Sequence, residues 1–598
     1  MPEPRSRTHR NRRWIVAPPD VEAARALAEQ LRTSPLIAQM LLNRGITGAD
    51  AGRDFLDPTL KLLYEPELIP GIAPAAERIA RAIRDRERIV IYGDYDVDGI
   101  TATAILWHAI RRLGGDCDYY VPHRIDEGYG LNSAAIDQLC RKGARLIVTV
   151  DCGVTAIEPC ALAAERGVDV IVTDHHEFKF NGCCPDGQPP DPLLPSAVAI
   201  VHPRLPQANP YPNPHLCGAG VAFKLAWAVG KSVSGRARVN EDFRAFLLEA
   251  LAMAALGTIA DVVPLVGENR VLARFGLGSV KQTAMTGLRA LIDSANLTGE
   301  KIDSYHVGFL LAPRLNAAGR MGHAALAVEL LTHADASRAA EIATYLESQN
   351  RARQQTERQI LAEALAQASE LKLDGDDQAA LVLGAAGWHA GVIGIVASRV
   401  VDRFHKPAIM VALGAEGVGQ GSGRSISGFH LARALEACDA TLEAHGGHEM
   451  AAGLKVRAER FEDFRAAFLA HAKRELTTEL LTPRLSLEAE AGLSDITESL
   501  ATDVKRLGPF GQGNRPPVLC LRDVELAGPP RPVGKDAQHL QLYLRQEGAY
   551  LRAIAFRAAD LLDQLKPGTR LHLAVEPSIN EWNGRRSVEL QVKDIQFA

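Results

Sequence analysis

The sequence predicts a multidomain α/β protein. A domain on a parallel sheet and a smaller α/β domain are joined by a long helix and followed by a C-terminal β-barrel. Three observations predict it. Between residues 88 and 176, short apolar runs alternate with amphipathic helical patterns, as in a parallel sheet with right-handed crossovers. From Ala334 to Leu373 a polar, helix-forming stretch contains no Gly or Pro, and a helix of that length bridges domains. Past residue 485 the pattern turns to strand alternation. At 598 residues the chain also exceeds one ordinary domain.

The elements follow in order. Arg5, Arg7, Arg10, Arg12 and Arg13 form a basic tail without an apolar run behind it, expected to be disordered. Helical patterns at Val21–Leu31 and Pro35–Arg44 make an N-terminal cap, and Ala75–Arg86 is a helix feeding the first strand. Strands are expected at Arg88–Gly93, Asp118–Pro122, Arg145–Val150 and Val168–Thr173. Helices are expected at Ile100–Leu113, Asn132–Lys142 and Ile157–Arg166. Residues 181–215 are rich in Pro and Gly and read as a long surface loop. Helices resume at Gly218–Val229 and Asp242–Ile259, the second running into Ala260-Asp261-Val262-Val263-Pro264. Residues 312–322 set Arg314, Asn316 and Arg320 among small residues, which suits either backbone–phosphate contact or a solvated loop.

A second α/β region has strands at Ala379–Leu383 and Ala408–Ala412 and a helix at Val392–Phe404. The Gly-rich stretch 419–425 carries Ser422 and Arg424, a combination suited to phosphate through backbone N–H groups and a guanidinium fork. His445–Gly453 reads as a Gly-rich turn bearing imidazoles, including His448. Five short strands then follow at Val518–Val524, His539–Arg545, Leu551–Phe556, Arg570–Glu576 and Ser587–Phe597, with a hairpin signal at Asn583-Gly584. They suggest an OB-like barrel, with a β-sandwich as the alternative. Tyr543, Phe556 and Trp582 are candidates for stacking on bases, beside Arg545, Arg552, Arg585 and Arg586.

The chemistry is concentrated at Arg88–Gly99. The apolar strand stops at Gly93, and Asp94, Asp96 and Asp98 follow at alternate positions. A helix cap needs one aspartate. Three repel one another and are held together by cations. Two further strands end in Asp151 and in Asp174-His175-His176. In parallel sheets ligands sit beyond the carboxyl ends of the strands, so three such ends point to one metal centre. Asp261 is a candidate further ligand.

Composition bounds the alternatives. A 47% hydrophobic, 23% charged chain is that of a soluble globular protein, and no apolar run is expected to span a bilayer. Nine scattered cysteines, with Cys183 and Cys184 adjacent, lack zinc-site spacing and suit a reduced, cytoplasmic compartment. A net charge of −5 argues against a protein that coats nucleic acid, though not against an acidic metal site with a local basic groove.

GDYDVDG at 93–99, VDCG at 150–153, TDHH at 173–176, ADVVPL at 260–265 and GGHEMAAG at 446–453 together resemble the DHH/DHHA1 phosphoesterase superfamily. RLNAAGRMG, GWHAGVIGIVASR, GSGRSI and FGQGN narrow the resemblance to its bacterial single-strand-specific exonucleases, from about residue 35 onward. The basic tail and helical cap occupy 1–70, and the resemblance implies a DHH catalytic domain at 71–333 and a connecting helix at 334–373. It further implies a DHHA1 domain at 374–480 and an OB-like nucleic-acid-binding domain at 481–598.

The resemblance also implies roles. Asp96, Asp98, Asp151, His175 and Asp261 would hold two divalent cations, Mn2+ or Mg2+, with Asp151 bridging. Asp94 would be a ligand or its neighbour, Asp174 would orient His175, and His176 would face the scissile phosphate or leaving oxygen. Arg124, Ser422 and Arg424 would form a 5′-phosphate pocket, with Arg314, Asn316, Arg320, His389 and His448 at the DNA. The implied activity is 5′ to 3′ hydrolysis of single-stranded DNA to nucleoside 5′-monophosphates in recombination and repair, without a covalent intermediate. A passage between the two α/β domains too narrow for duplex would give strand specificity. Such enzymes work with single-stranded-DNA-binding protein and a RecQ-type helicase. The alternative within the superfamily is a hydrolase of short oligonucleotides or cyclic dinucleotides, and outside it a catalytically silent scaffold.

Overall fold

A computed structural model describes residues 12–123, 127–128, 130–180, 191–320, 323–414, 417–582 and 585–598. Two compact units emerge. The first comprises Arg53–Arg351 and Leu507–Arg515, and the second comprises Met1–Gly52, Ala352–Arg506 and Pro516–Ala598.

In the first unit, helix α1 (Ile72–Arg84) leads into β1 (Ile89–Gly93), α2 (Val97–Arg112), β2 (Cys117–Tyr120), α3 (Ser133–Arg141), β3 (Leu146–Val150), α4 (Ile157–Glu165) and β4 (Asp169–Thr173). A short β5 (Ala199–Val201) pairs with β4 at the sheet edge, inside the stretch expected to be loop. All pairings are parallel, in the order β2-β1-β3-β4-β5. β1 and β3 are buried throughout, which is why they read as continuous apolar runs. The chain leaves β1 toward β2 on one side and returns to β3 on the other. This reversal opens a crevice at the carboxyl ends of β1 and β3.

Helices α5 (Gly218–Ser234), α6 (Glu241–Ala260) and α7 (Gly267–Lys281) pack beside the sheet around a core that includes Ile91, Ile105, Val148, Leu225 and Met253. The sequence was expected to hold no membrane-length apolar run, yet α6 is long and apolar enough for one. It is mostly buried among the other helices, and its apolarity is that of a core helix. Residues 312–320, which suited either phosphate contact or a solvated loop, form helix α8 (Ala312–Arg320), continuing a turn already begun at Ser304. Helix α9 (Ala336–Glu370) then runs from the first unit into the second.

The second unit carries β6 (Leu381–Ala386), α10 (Ala390–Phe404), β7 (Ala408–Leu413), β8 (Val418–Arg424), β9 (Ala444–Gly447) and β10 (Ala451–Arg457), in sheet order β9-β10-β8-β7-β6. The Gly-rich stretch expected to be a loop is therefore strand β8, and the Gly-rich turn is largely the β9–β10 hairpin. Glycine lowers strand propensity, so the pattern hid them. Here it serves close packing: a Cβ on Gly421 would lie 2.6 Å from the Leu454 side chain.

The barrel strands are β11 (Leu519–Leu526), β12 (His539–Gln546), β13 (Ala549–Ala555), β14 (Arg570–Trp582) and β15 (Arg585–Phe597). They pair in the order β11-β14-β15-β13-β12, and β12 returns to β11 through Glu525–Arg545 and Leu526–Leu544. The ring closes, which excludes a sandwich. Asn583-Gly584 and the side chains of Trp582 and Arg585 lie outside the described residues. Arg13, the last arginine of the basic stretch, lies in a strand, Arg13–Val16, paired in parallel with Arg484–Leu487.

One polar pair lies fully inside the first unit: Lys224 Nζ meets Glu268 Oε1 at 2.5 Å, both side chains at 0% exposure. Glu268 also accepts from the Tyr211 hydroxyl at 2.6 Å and the Tyr64 N–H at 2.9 Å. Glu268→Ala leaves the buried ammonium without its paired carboxylate. We expect a loss of about 3–5 kcal/mol in the unfolding free energy, read from the denaturant midpoint.

Candidate metal centre

β1 ends at Gly93 and the chain turns through Asp94 and Asp96 into α2. Asp96 caps that helix, its Oδ1 accepting from the N–H groups of Asp98 (2.9 Å) and Gly99 (3.1 Å). One of the three aspartates is thus the cap, and its other oxygen stays available. Asp98, in the first turn of that helix, is buried. Its two oxygens accept from the N–H groups of Gly218 (2.6 Å) and Ala219 (2.8 Å) at the start of α5. A helix N-terminus offers unpaired N–H groups and positive potential, which suits a buried carboxylate.

Asp151 follows β3 at φ +62°, a left-handed conformation uncommon for aspartate. After β4, Asp174 Oδ1 accepts from the N–H groups of His175 (2.7 Å) and His176 (3.1 Å) and lies 2.8 Å from His176 Nδ1, while Oδ2 accepts from Val154 N–H (2.9 Å). Asp174 therefore orients the His176 ring. Its bond to His175, the residue it was expected to orient, is through the backbone. The next residue pair able to hold that turn comes from β5: His202 Nε2 lies 2.9 Å from the His176 carbonyl, and Arg204 donates to the His175 carbonyl at 2.5 Å. Sequence reasoning passed over both, although VHPR at 201–204 repeats the apolar-then-polar strand end.

The His175 Nε2 atom is the focus. It lies 3.0 Å from Asp151 Oδ1, 3.7 Å from Asp98 Oδ2 and 3.7 Å from Asp261 Oδ2. It is buried and makes no hydrogen bond among the described residues. Three overlapping groups, each with donor atoms within 4.8 Å of one another, could hold cations: Asp94/Asp96/Asp151, Asp98/His175/Asp261 and Asp151/His175/His176. Carboxylate oxygens with one or two imidazole nitrogens fit hard divalent ions such as Mn2+ or Mg2+. The nearby Cys152 thiol is buried, pushed up in pKa by burial, and faces the Tyr92 carbonyl at 3.8 Å, so it offers no thiolate.

Protonation follows from burial and crowding. Burial raises Asp151 well above its usual value, reinforced by Asp98, Asp96, Asp94 and Asp261. Burial raises Asp98 too, against the opposing pull of His175. Burial and the charges of Asp98 and Asp96 push Asp261 up to about 8. Burial brings His175 down to about 4, leaving a neutral imidazole. For His176 burial is outweighed by the bond to Asp174 and the charge around it, and its pKa rises to about 9. Burial alone would raise Asp174, but His176 and the Val154 N–H hold it well below the carboxylate range.

Glycine makes the room. A Cβ on Gly218 would lie 2.7 Å from Asp151 Oδ1, and one on Gly257 would lie 2.4 Å from Asp98 Oδ1 and 2.5 Å from the Ala219 Cβ. Only side-chain-free positions let α5 and α6 approach the carboxylates. The loop beyond α6 carries Asp261 and then Val262 at φ +60°, a steric outlier for a β-branched residue.

The other expected site residues divide. Asn316 Oδ1 accepts from Val97 N–H at 3.1 Å, and a Cβ on Gly319 would strike the Tyr95 carbonyl at 2.3 Å, so α8 braces the aspartate turn. Arg314, expected at a phosphate, is buried and paired with Glu347 (2.8 Å) and the Leu310 carbonyl (2.5 Å). Arg320 ends the same helix, half-buried. In the second unit, Ser422 and Arg424 share one face of β8, with Arg424 Nη1 3.2 Å from Ser422 Oγ. A Cβ on Gly394 of α10 would come 2.9 Å from Ser422 Oγ and 3.2 Å from Arg424 Nη2. Burial lowers the Arg424 pKa, and among the described residues no carboxylate pairs with it. His389 caps α10 through its Nδ1, and His448 is exposed beside the hairpin. Arg124 lies outside the described residues.

Comparison with known proteins agrees with this layout. Family models match at residues 88–257 (DHH family, N-terminal domain), 377–474 (DHHA1 domain) and 487–594 (RecJ OB domain). The chain is 39% identical over 583 residues to the single-stranded-DNA-specific exonuclease RecJ of Bacillus subtilis (strain 168), covering 97% of this chain and 70% of that protein. It is 35% identical over 581 residues to the RecJ of Escherichia coli (strain K12), covering 94% and 96%. The crystal structure of RecJ from Thermus thermophilus in complex with Mn2+ superposes with a TM-score of 0.81 at 31% identity, over 98% of this chain and 80% of that one. Its Mg2+ complex gives 0.76.

Two outcomes are expected. Between pH 6.5 and 8, the folded ion-free centre holds protons on Asp261 and His176 that the unfolded chain has released. The protein treated with EDTA therefore loses thermal stability as pH rises through this window. Added Mn2+ displaces the proton on Asp261, so the Mn2+-induced rise in Tm should grow with pH. Gly257→Ala should weaken Mn2+ binding by about 10- to 100-fold by calorimetry, with the far-UV circular dichroism unchanged.

Proposed function

Because the chain belongs to the RecJ family of single-stranded-DNA-specific exonucleases, we propose a division of labour among its residues for that reaction. The activity is metal-dependent hydrolysis of single-stranded DNA from the 5′ end, in recombination and repair, with Mn2+ or Mg2+ as cofactor. The observation that carries the assignment is His175 Nε2, buried and aimed at the carboxylates of Asp98, Asp151 and Asp261.

Asp96, Asp98, Asp151, His175 and Asp261 would hold two cations, with Asp94 beside them and Asp151 common to two of the donor groups. When bound, the cations supply the charge that activates water and neutralises the phosphate oxygens. His175, neutral at pH 7, presents a lone pair. His176 keeps Nδ1 on Asp174, which leaves its Nε2 proton for the departing O3′. Water oxygen joins phosphorus, the P–O3′ bond breaks, and O3′ takes a proton. The released nucleotide keeps its own 5′-phosphate, and the shortened strand gains a new one.

Ser422 and Arg424 receive a 5′-phosphate. The support is a guanidinium lowered by burial beside a hydroxyl, with no carboxylate partner among the described residues. His389 and His448 contact the same strand. On the barrel, Tyr543 and Phe556 are exposed and offer stacking faces. Arg545 is paired there with Glu525 and Arg552 with Glu589, and the first, more exposed pair is weak enough to exchange for phosphate. Single-stranded-DNA-binding protein and a RecQ-type helicase are the proposed partners, since the enzyme needs strands already separated. A cytoplasmic location suits the DNA substrate and the free thiols of the described cysteines.

The test uses a long single strand labelled at the 5′ end, its 3′-labelled twin and a hairpin duplex, with Mn2+ or EDTA. Immediate mononucleotide release from the 5′ label, gradual shortening of the twin and a spared hairpin are expected. Hydrolysis of dinucleotides alone would overturn the reading. His176→Ala should lower kcat by about 10²- to 10⁴-fold while Mn2+ still raises Tm. Arg424→Ala should remove about 10- to 100-fold of preference for a 5′-phosphate over a 5′-hydroxyl strand, measured as kcat/KM.

A further inference from the structure

The motif Phe510–Asn514, FGQGN, has no place in the chemistry above. It belongs to the first unit, and its backbone makes two connections there. The Leu265 N–H donates to the Gln512 carbonyl at 2.7 Å, and the Ser304 hydroxyl donates to the Phe510 carbonyl at 2.5 Å. Its glycines permit the approach: a Cβ on Gly511 would lie 2.7 Å from Leu265 Cδ1. The loop therefore ties the segment that carries Asp261 to the start of the helix at Ser304.

On that helix Tyr305 and Phe309 stand out. They are 60% and 64% exposed, and their rings stack at 4.9 Å between centroids and 28° between planes. The backbone beneath them is irregular, passing from an α turn at Ser304–His306 into a π-helical stretch at Val307–Leu311. Such stretches concentrate at functional sites. The stretch packs on the end of α6: a Cβ on Gly308 would lie 3.9 Å from Ile259, two residues before Asp261. Val262, on the loop after α6, is exposed as well.

Large aromatic rings left in water are costly unless something covers them. The substrate supplies a matching partner, since a single strand carries unpaired bases with open π faces, and stacking on aromatic side chains is indifferent to base identity. We propose that Tyr305 and Phe309 form a base-stacking platform beside the metal centre, which holds the single strand through its bases. This rests on the exonuclease reading given above. The same loop that braces Asp261 braces the platform, so strand and metal centre are held in one register.

The test compares Tyr305→Ala/Phe309→Ala with wild type on an intact strand and on an abasic strand of equal length, by anisotropy in EDTA and by kinetics with Mn2+. In the wild type the intact strand binds more tightly than the abasic one. In the double variant that ratio should fall by about tenfold, with the loss on KM, and Tyr305→Phe/Phe309→Tyr should keep the wild-type ratio. An unchanged ratio overturns the platform, even if overall affinity falls. Loss confined to binding of a protein partner overturns it too and makes the pair a protein-docking surface. Failure of the wild type to degrade the intact strand would sink the exonuclease reading separately.

Discussion

Carboxylates that share a buried space repel one another, and the first unit is organised around keeping them there. Asp94, Asp98, Asp151 and Asp174 are all nearly inaccessible. Two of them are held by backbone N–H groups. Asp98 takes two N–H groups from the start of α5, Asp174 takes three from its own and a neighbouring turn, and Asp151 and Asp261 ride high in pKa. These devices need backbone brought within hydrogen-bond reach of side chains. Gly218 and Gly257 are consequences of that need, since any side chain at either would occupy the space of a carboxylate. Attraction to divalent cations offsets the repulsion that remains.

The two imidazoles show how one turn sets opposite protonation states. His175 faces inward, loses water and becomes neutral. His176, next in sequence, keeps a carboxylate at Nδ1 and stays charged. The difference arises from which ring Asp174 can reach. The wider frame then holds the turn still. His202 and Arg204 grip its carbonyls from β5, and Asn269 joins the His215 carbonyl (2.5 Å) to the Pro264 carbonyl (3.1 Å). That last bond couples the segment before α5, whose amides hold Asp98, to the loop that carries Asp261. The strained Asp151 and Val262 sit in this over-determined neighbourhood, where local strain can be sustained.

Local order explains what could be read early. Strand and helix alternation, the acidic ends of β1, β3 and β4, the long helix α9 and the barrel strands all leave periodic or compositional marks within a few residues. Glycine-rich β8 and the β9–β10 hairpin left none, because their glycines answer to partners distant in sequence such as Leu454. Helix α8 was hidden for a related reason: a run of small residues with Arg and Asn suits a loop until Val97 and Tyr95 are seen to pack on it. Arg314 carried a charge that suggested phosphate, and only its burial against Glu347 gave it another partner.

The sequence by itself determined the alternating α/β frame, the placement of aspartates and histidines just past three strands, and the switch to strand alternation at the end. Short-range pattern is sufficient for these because each is written in consecutive residues. Tertiary structure decided the strand order that sets β1 beside β3, the closure of the barrel through Glu525 and Arg545, and the imidazole that Asp174 orients. It also decided that Gly218, Ala219, His202 and Arg204 belong to the metal centre. These depend on distances between residues far apart along the chain, and such distances exist only once the core has packed.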